Sequence, residues 1–325
     1  MVRSTGLGTL AGGILVCMIL FSCRSKEKVF PVGEFIPESE RFWEVVPREA
    51  VMERIGINFE FTEGPAWHPK GFLVFSDIPA NTIYRWTERN FISYRDSSNN
   101  SNGLLFMAGG DLLCCEHGSR SISRFSPEGK LTTLVDSYMG KRLNSPNDLC
   151  RSSTGIIYFT DPPWGLEGLN EDPEKELPYN GVFCWDGNRV TLIDSTLSWP
   201  NGIALSPDER NLYVANMEIL NENGEERYDV FWMRYTLGAD GEVEARKVFY
   251  RATDTTLPGG PDGLKVDRNG NLFVTGPGGI LVIDSTGTHL GTISVPIPAT
   301  NLAFGPRERT IYVTARSTVY RIKME

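Results

Sequence analysis

Asn201-Gly202-Ile203-Ala204-Leu205, then Ser206-Pro207-Asp208-Glu209-Arg210, then Leu212-Tyr213-Val214 follow one another in the middle of this chain. A polar residue and a glycine open a short apolar strand, a Ser-Pro-Asp turn follows, and a second apolar strand returns. The same order begins at Glu63-Gly64 and reaches Leu73-Val74-Phe75, and begins at Asn102-Gly103 and reaches Leu112-Leu113-Cys114. It recurs from Asn147-Asp148 to Ile157-Tyr158-Phe159, from Asp262-Gly263 to Leu272-Phe273-Val274, and from Thr300-Asn301 to Ile311-Tyr312-Val313. A third apolar strand follows each pair, as in Ile83 to Trp86, Val182 to Trp185 and Val319 to Ile322, and candidate fourth strands lie at Leu131 to Val135 and Arg189 to Ile193. Four short strands recurring at roughly 40–50 residues are the signature of propeller blades. The pattern predicts an all-β fold, a six-bladed β-propeller over residues 50–325. A β-sandwich or β-helix accounts for the short strands but not for six copies in register. The last copy has three strands before Glu325, so the segment around Met52 to Phe61 is expected to supply the fourth and leave no free edge.

In a propeller the first strand of each blade lines the central channel, so the residue before it faces the axis. Those residues are Glu63, Asn102, Asn147, Asn201, Asp262 and Thr300. All bear oxygen and two are carboxylates, the donor chemistry that Ca²⁺ or Mg²⁺ requires. Asn, Asp and Gly are also ordinary turn residues, and for Asn102 and Thr300 that reading is preferred. For the others, repetition across blades favours a central divalent-metal site.

These residues carry a resemblance. Phe61-Thr62-Glu63-Gly64-Pro65-Ala66-Trp67 is similar to the opening metal motif of the SMP-30/gluconolactonase/LRE (regucalcin-like) family. Arg142-Leu143-Asn144-Ser145-Pro146-Asn147-Asp148, running into Tyr158-Phe159-Thr160-Asp161-Pro162-Pro163-Trp164-Gly165-Leu166, resembles its bacterial gluconolactonase branch. Pro200-Asn201-Gly202 and Pro261-Asp262-Gly263-Leu264 resemble its two remaining motifs. Four motifs in order over residues 50 to 325 make the likeness specific. It implies Glu63, Asn147, Asn201 and Asp262 as metal ligands, Ca²⁺ first with Mg²⁺, Mn²⁺ or Zn²⁺ as alternatives, and Asp262 also as the acid/base.

The chemistry expected of such a centre is hydrolysis of a cyclic ester, a sugar lactone, by a metal-activated water. Asp262 takes a proton from the water and returns it to the ring oxygen. A metal-bound carboxylate is a weak base, so Asp148 stands as an alternative base or a contact for substrate hydroxyls. Glu116-His117-Gly118 resembles a family stretch in which His117 binds substrate or shuttles a proton; a hydrogen-bonded structural histidine is the other reading. Asn102, Arg142 and Trp164 complete the candidate substrate contacts, Trp164 with Trp199 as an apolar wall. His68 reads as a turn residue and His289 as exposed. The excursions from Leu166 to Asn180 and from Met217 to Asp229 are longer than ordinary hairpin loops and are expected to wall the substrate. Two other functions fit the same residues: a non-catalytic, metal-stabilised binding propeller, and a hydrolase of another ester or a phosphotriester.

Ahead of the repeats, Arg3 precedes an apolar stretch from Ser4 to Phe21 and the box Leu20-Phe21-Ser22-Cys23. This resembles a bacterial lipoprotein signal, implying a signal peptide at 1–22, lipidation at Cys23, a tether to residue 49, and an exported protein held by its lipid on the periplasmic or surface face of a membrane, the outer membrane foremost. Acidic residues outnumber basic ones, 41 to 32, which argues against nucleic acid, and nothing implies a protein partner. Cys114, Cys115, Cys150 and Cys184 lack zinc spacing and read as mostly buried thiols.

Overall fold

The computed structural model describes Met1 and residues 32–88, 90–222, 225–238 and 240–325. The signal segment past Met1 and the lipidation residue Cys23 lie outside the described residues. Among the described residues no helix is long and apolar enough to cross a membrane. Met1–Phe30 and Pro31–Glu325 are separate units, and the fold belongs to the second.

The chain is a six-bladed β-propeller, as the repeat predicts. Each blade is an antiparallel sheet ordered from its innermost strand outward. The innermost strands are Thr62–His68, Ser101–Phe106, Leu149–Arg151, Ile203–Leu205, Leu264–Val266 and Asn301–Phe304, so the six repeat openings stand at one end of the channel. Apolar residues on both faces of the strands bury against the neighbouring blades. The core accordingly divides into six clusters, one at each junction. Phe75 and Leu73 meet Tyr312 and Val319 between blades 1 and 6, and Phe159 and Phe183 meet Leu113 and Ile122 between blades 3 and 2. Each such side chain contributes about 1.5–3 kcal/mol by leaving water.

Val51–Gly56 pairs with Thr318–Lys323 in register from Val51↔Lys323 and supplies the fourth strand of blade 6. It ends five residues short of the expected Phe61: Phe59 packs into the core on Phe75 and Tyr84, and Phe61 lines the cavity at the channel mouth.

Two segments depart from the sequence expectation. Residues 32–49 are not a bare tether: Glu34–Pro37 adds a fifth strand to blade 5 along His289–Ser294. The short helix Phe42–Val45 seals the core between blades 5 and 6 with Phe42 and Val46 fully buried. An otherwise open strand edge and an apolar surface recruit this segment. In blade 4, Asn211–Glu222 and Glu225–Leu237 form one long hairpin where a loop was expected from Met217. Strand formers such as Ile219 and Tyr228 sit opposite one another there and extend the ladder.

Candidate active site

At the repeat openings three backbone amides and three side-chain hydroxyls donate to backbone carbonyls and form a closed hydrogen-bonded circuit. Ser76 Oγ donates to Asn102 O (2.8 Å), Gly103 N to Asn147 O (2.8 Å) and Thr160 Oγ1 to Asn201 O (2.6 Å). Gly202 N then donates to Asp262 O (2.8 Å), Gly263 N to Thr300 O (2.7 Å), and Thr300 Oγ1 to Thr62 O (2.7 Å). The circuit crosses every junction between blades, and the side chains of the opening residues other than Thr300 are left to point inward. Approach is close: a Cβ on Gly64, whose φ is +51°, would stand 1.9 Å from Asn102 O. Only glycine fits there without strain. Thr300 closes the circuit with its own hydroxyl, in keeping with its structural reading.

A cavity of about 420 Å³ opens above the circuit, lined by Glu63, Asn102, His117, Asn147, Asn201 and Asp262, with Trp164 at its mouth. Glu63 Oε2 accepts from Gly64 N at 2.5 Å and from Asn301 Nδ2 at 2.9 Å. Its Oε1, and Oδ1 of Asn102, are buried and have no hydrogen-bond partner. Two orphaned acceptors in one cavity call for a donor or a cation. Burial, then the charge of Asp148, pushes the Glu63 carboxyl up to about 7. Asp262 retains access to the cavity, but surrounding protein strips its water. Desolvation and then the facing Glu63 hold its carboxyl well above the usual range, against a hydrogen bond from Asn201. Like charges forced together in low dielectric favour a cation between them. Among the described residues no three His, Cys, Asp or Glu side chains form a metal cluster. The donors are two carboxylates with amides, and such a set fits a hard, oxygen-seeking cation.

His117 Nε2 lies 3.3 Å from Asn102 Nδ2, and burial lowers its pKa to about 4. It is therefore a neutral hydrogen-bonding wall, not a cation. The loop presenting Asn147 is clamped by Asp161, which accepts from the amides of Asn144 (2.7 Å) and Ser145 (2.9 Å). Trp164 stacks on Trp199 with ring centroids 4.4 Å apart and is 38% exposed, an apolar plate of the kind on which a sugar ring lies. Trp164→Ala should raise KM about tenfold and leave kcat nearly unchanged in steady-state assays, since the plate contributes binding and not chemistry.

Two candidates stand elsewhere. Arg142 is exposed, donates to Ser119 O at 3.2 Å, and does not line the cavity. Asp148 sits deeper in the channel, its Oδ2 3.4 Å from Asn301 Nδ2 and 3.6 Å from Lys265 Nζ. Asn301 and Lys265 escaped the sequence reading. Asn301 had a signal: four repeats carry Gly after the opening residue, whereas Asp148 and Asn301 fill that position in blades 3 and 6. The glycines make room for them, since a Cβ on Gly263 would meet Asn301 Cγ at 2.1 Å. His289 is half-buried rather than exposed, with Nε2 3.1 Å from Thr292 Oγ1. Cys114 and Cys115 are fully buried, Cys150 and Cys184 partly so, and all four are free thiols.

Residues 61–317 match the family model described as SMP-30/gluconolactonase/LRE-like region. The chain is 36% identical over 318 residues to a gluconolactonase of Zymomonas mobilis subsp. mobilis, covering 90% of this chain and 86% of that one. Among solved structures, a gluconolactonase of Xanthomonas campestris, described as important in glucose secondary metabolic pathways, superposes with a TM-score of 0.79 at 31% identity. That match covers 93% of this chain and 99% of the other. Regucalcin of Agrobacterium tumefaciens, a calcium-binding protein, shares the fold with a TM-score of 0.65 at 19% identity, covering 83% of this chain and 93% of its own.

Proposed function

We propose that this chain, which belongs to the SMP-30/gluconolactonase/LRE-like family and is a lactone-hydrolysing enzyme, opens a sugar lactone with a divalent cation, Ca²⁺ first, held by Glu63, Asn147, Asn201 and Asp262. The observation that carries the metal dependence is the pair of orphaned buried oxygens, Glu63 Oε1 and Asn102 Oδ1, in the cavity of Asp262. When bound, such a cation polarises the lactone carbonyl and steadies the charge that develops on its oxygen.

The protein's own groups do the rest. Trp164 and Trp199 receive the ring, and neutral His117 with Asn102 orients its hydroxyls. Asp262 accepts the proton of the attacking water as the new C–O bond forms, then gives it to the ring oxygen as the ester C–O bond breaks, leaving a hydroxy acid. Asp148 is the weaker candidate for base, because it does not line the cavity and faces Lys265. The N-terminal box extends the proposal to export and attachment to a membrane through lipid on Cys23.

Chelation tests the metal. Turnover of D-glucono-δ-lactone should vanish after EDTA and return with Ca²⁺; unchanged turnover would refute the dependence. Melting gives a second readout. Glu63 keeps its proton to about pH 7 in the native state, against an ordinary value of 4.5. The native state thus holds more protons than the unfolded chain between those values, and the cation-stripped protein loses stability as pH rises through that window. Ca²⁺ competes for the same oxygens, so the rise in Tm it produces should be larger at about pH 8 than at about pH 5.

A further inference from the structure

The cavity does not end at Asp262. A second lobe of about 440 Å³ begins at the same Phe61 and Asp262 and runs over Gly259-Gly260 toward blade 6, where Arg316 lines it. The other walls of this lobe are largely apolar, including Met217, Leu257 and Pro298.

Arg316 is exposed at the rim of this lobe. Arg95, Arg246 and Arg321 each meet a carboxylate, whereas among the described residues the Arg316 guanidinium meets no acceptor or ring. Its backbone is fixed in a conformation that few side chains adopt, with φ +50°. Its carbonyl accepts both the Thr62 amide at 2.6 Å and the Thr62 hydroxyl at 2.8 Å. Thr62 precedes Glu63, so the arginine is tied at its Cα to the backbone that carries the reacting centre. The chain has a formal charge of −9, and two carboxylates occupy the shared cleft. Its backbone is anchored and its unpaired guanidinium lines that cleft, a fork for a planar or tetrahedral oxyanion.

Resting on the lactonase reading, we infer that the natural substrate carries an oxyanionic substituent, carboxylate or phosphate, which Arg316 grasps while the lactone carbonyl lies at Asp262. Arg316 is then a specificity-determining residue that meets the substituent at the solvent-facing rim of the second lobe.

The test compares kcat/KM for neutral D-glucono-δ-lactone, 6-phospho-D-glucono-δ-lactone and D-glucaro-1,4-lactone at low salt. The enzyme should favour one of the two anionic lactones about 10- to 100-fold over the neutral one, and the better of them tells phosphate from carboxylate. In Arg316→Gln the preference should collapse through KM, Arg316→Lys should restore part of it, and the surface control Arg307→Gln should leave it intact. Absence of any preference, or an equal loss on all three lactones in Arg316→Gln, overturns the inference. Calorimetry separates it from the reaction itself, using 1,5-anhydro-D-glucitol 6-phosphate and D-glucuronate, which have no lactone to open. Binding that depends on Arg316 without turnover of any lactone would sustain the anion site and sink hydrolysis. Turnover without anion preference would do the reverse.

Discussion

Asp262→Asn should lower kcat for lactone opening about 10³-fold, and the cation-free variant should melt above the cation-free parent. The substitution keeps the volume and one oxygen but removes the proton acceptor, and a positioned general base contributes 10²- to 10⁴-fold, about 10³-fold at mid-range. The stability gain has a separate origin. Asp262 and Glu63 face one another in a desolvated cavity: burial and then Glu63 hold the Asp262 carboxyl above its ordinary range, and burial and then Asp148 do the same to Glu63. Near neutral pH that pair costs folding energy without a cation, and neutralising one member relieves it. Steady-state kinetics and calorimetric melting with and without Ca²⁺ check the two halves. A variant retaining activity within tenfold of the parent would exclude Asp262 as the base, and a fall in the cation-free Tm would show that the carboxylates do not oppose each other.

The second large effect concerns stability. Glu116 and Arg95 form an ion pair at 2.7 Å with side chains 1% and 6% exposed, between blades 2 and 1. Glu116 also accepts from Ser123, Asn99 and Ser119, at 2.5, 2.8 and 2.6 Å, so its carboxylate is saturated. Glu116→Ala leaves Arg95 buried without a partner and should cost about 3–5 kcal/mol in urea unfolding. The double variant Glu116→Leu with Arg95→Met should recover most of that loss, because removing both charges removes the uncompensated one. If the single change costs under about 1 kcal/mol, water reaches Arg95 and the pair is not buried in solution. Glu116 thus acts on the site through structure, by holding the strand end from which His117 enters the cavity.

The sequence alone determined the blade count, the strand order and the oxygen-bearing residues at the channel mouth, because each rests on local information. Strand alternation, turn residues and a repeated opening are written within about fifty residues. The long blade-4 hairpin is not legible along the chain, because its polar stretch hides the pairing of Ile219 with Tyr228. Tertiary structure decided the rest. Asn147 and Asp148 are neighbours, yet one faces the cavity and the other the channel interior, since successive side chains leave an extended backbone on opposite sides. Lys265 and Asn301 meet Asp148 only because blades 3, 5 and 6 converge on one axis. Arg142, close in sequence to Asn147, does not line the cavity, while the equally exposed Arg316, far from every motif, lines the lobe beside it. The segment 32–49 has no period to betray it and gains its order from an edge strand and an apolar surface more than two hundred residues away. What chain periodicity encodes can be read along the chain, and what convergence on an axis creates has to be seen in space.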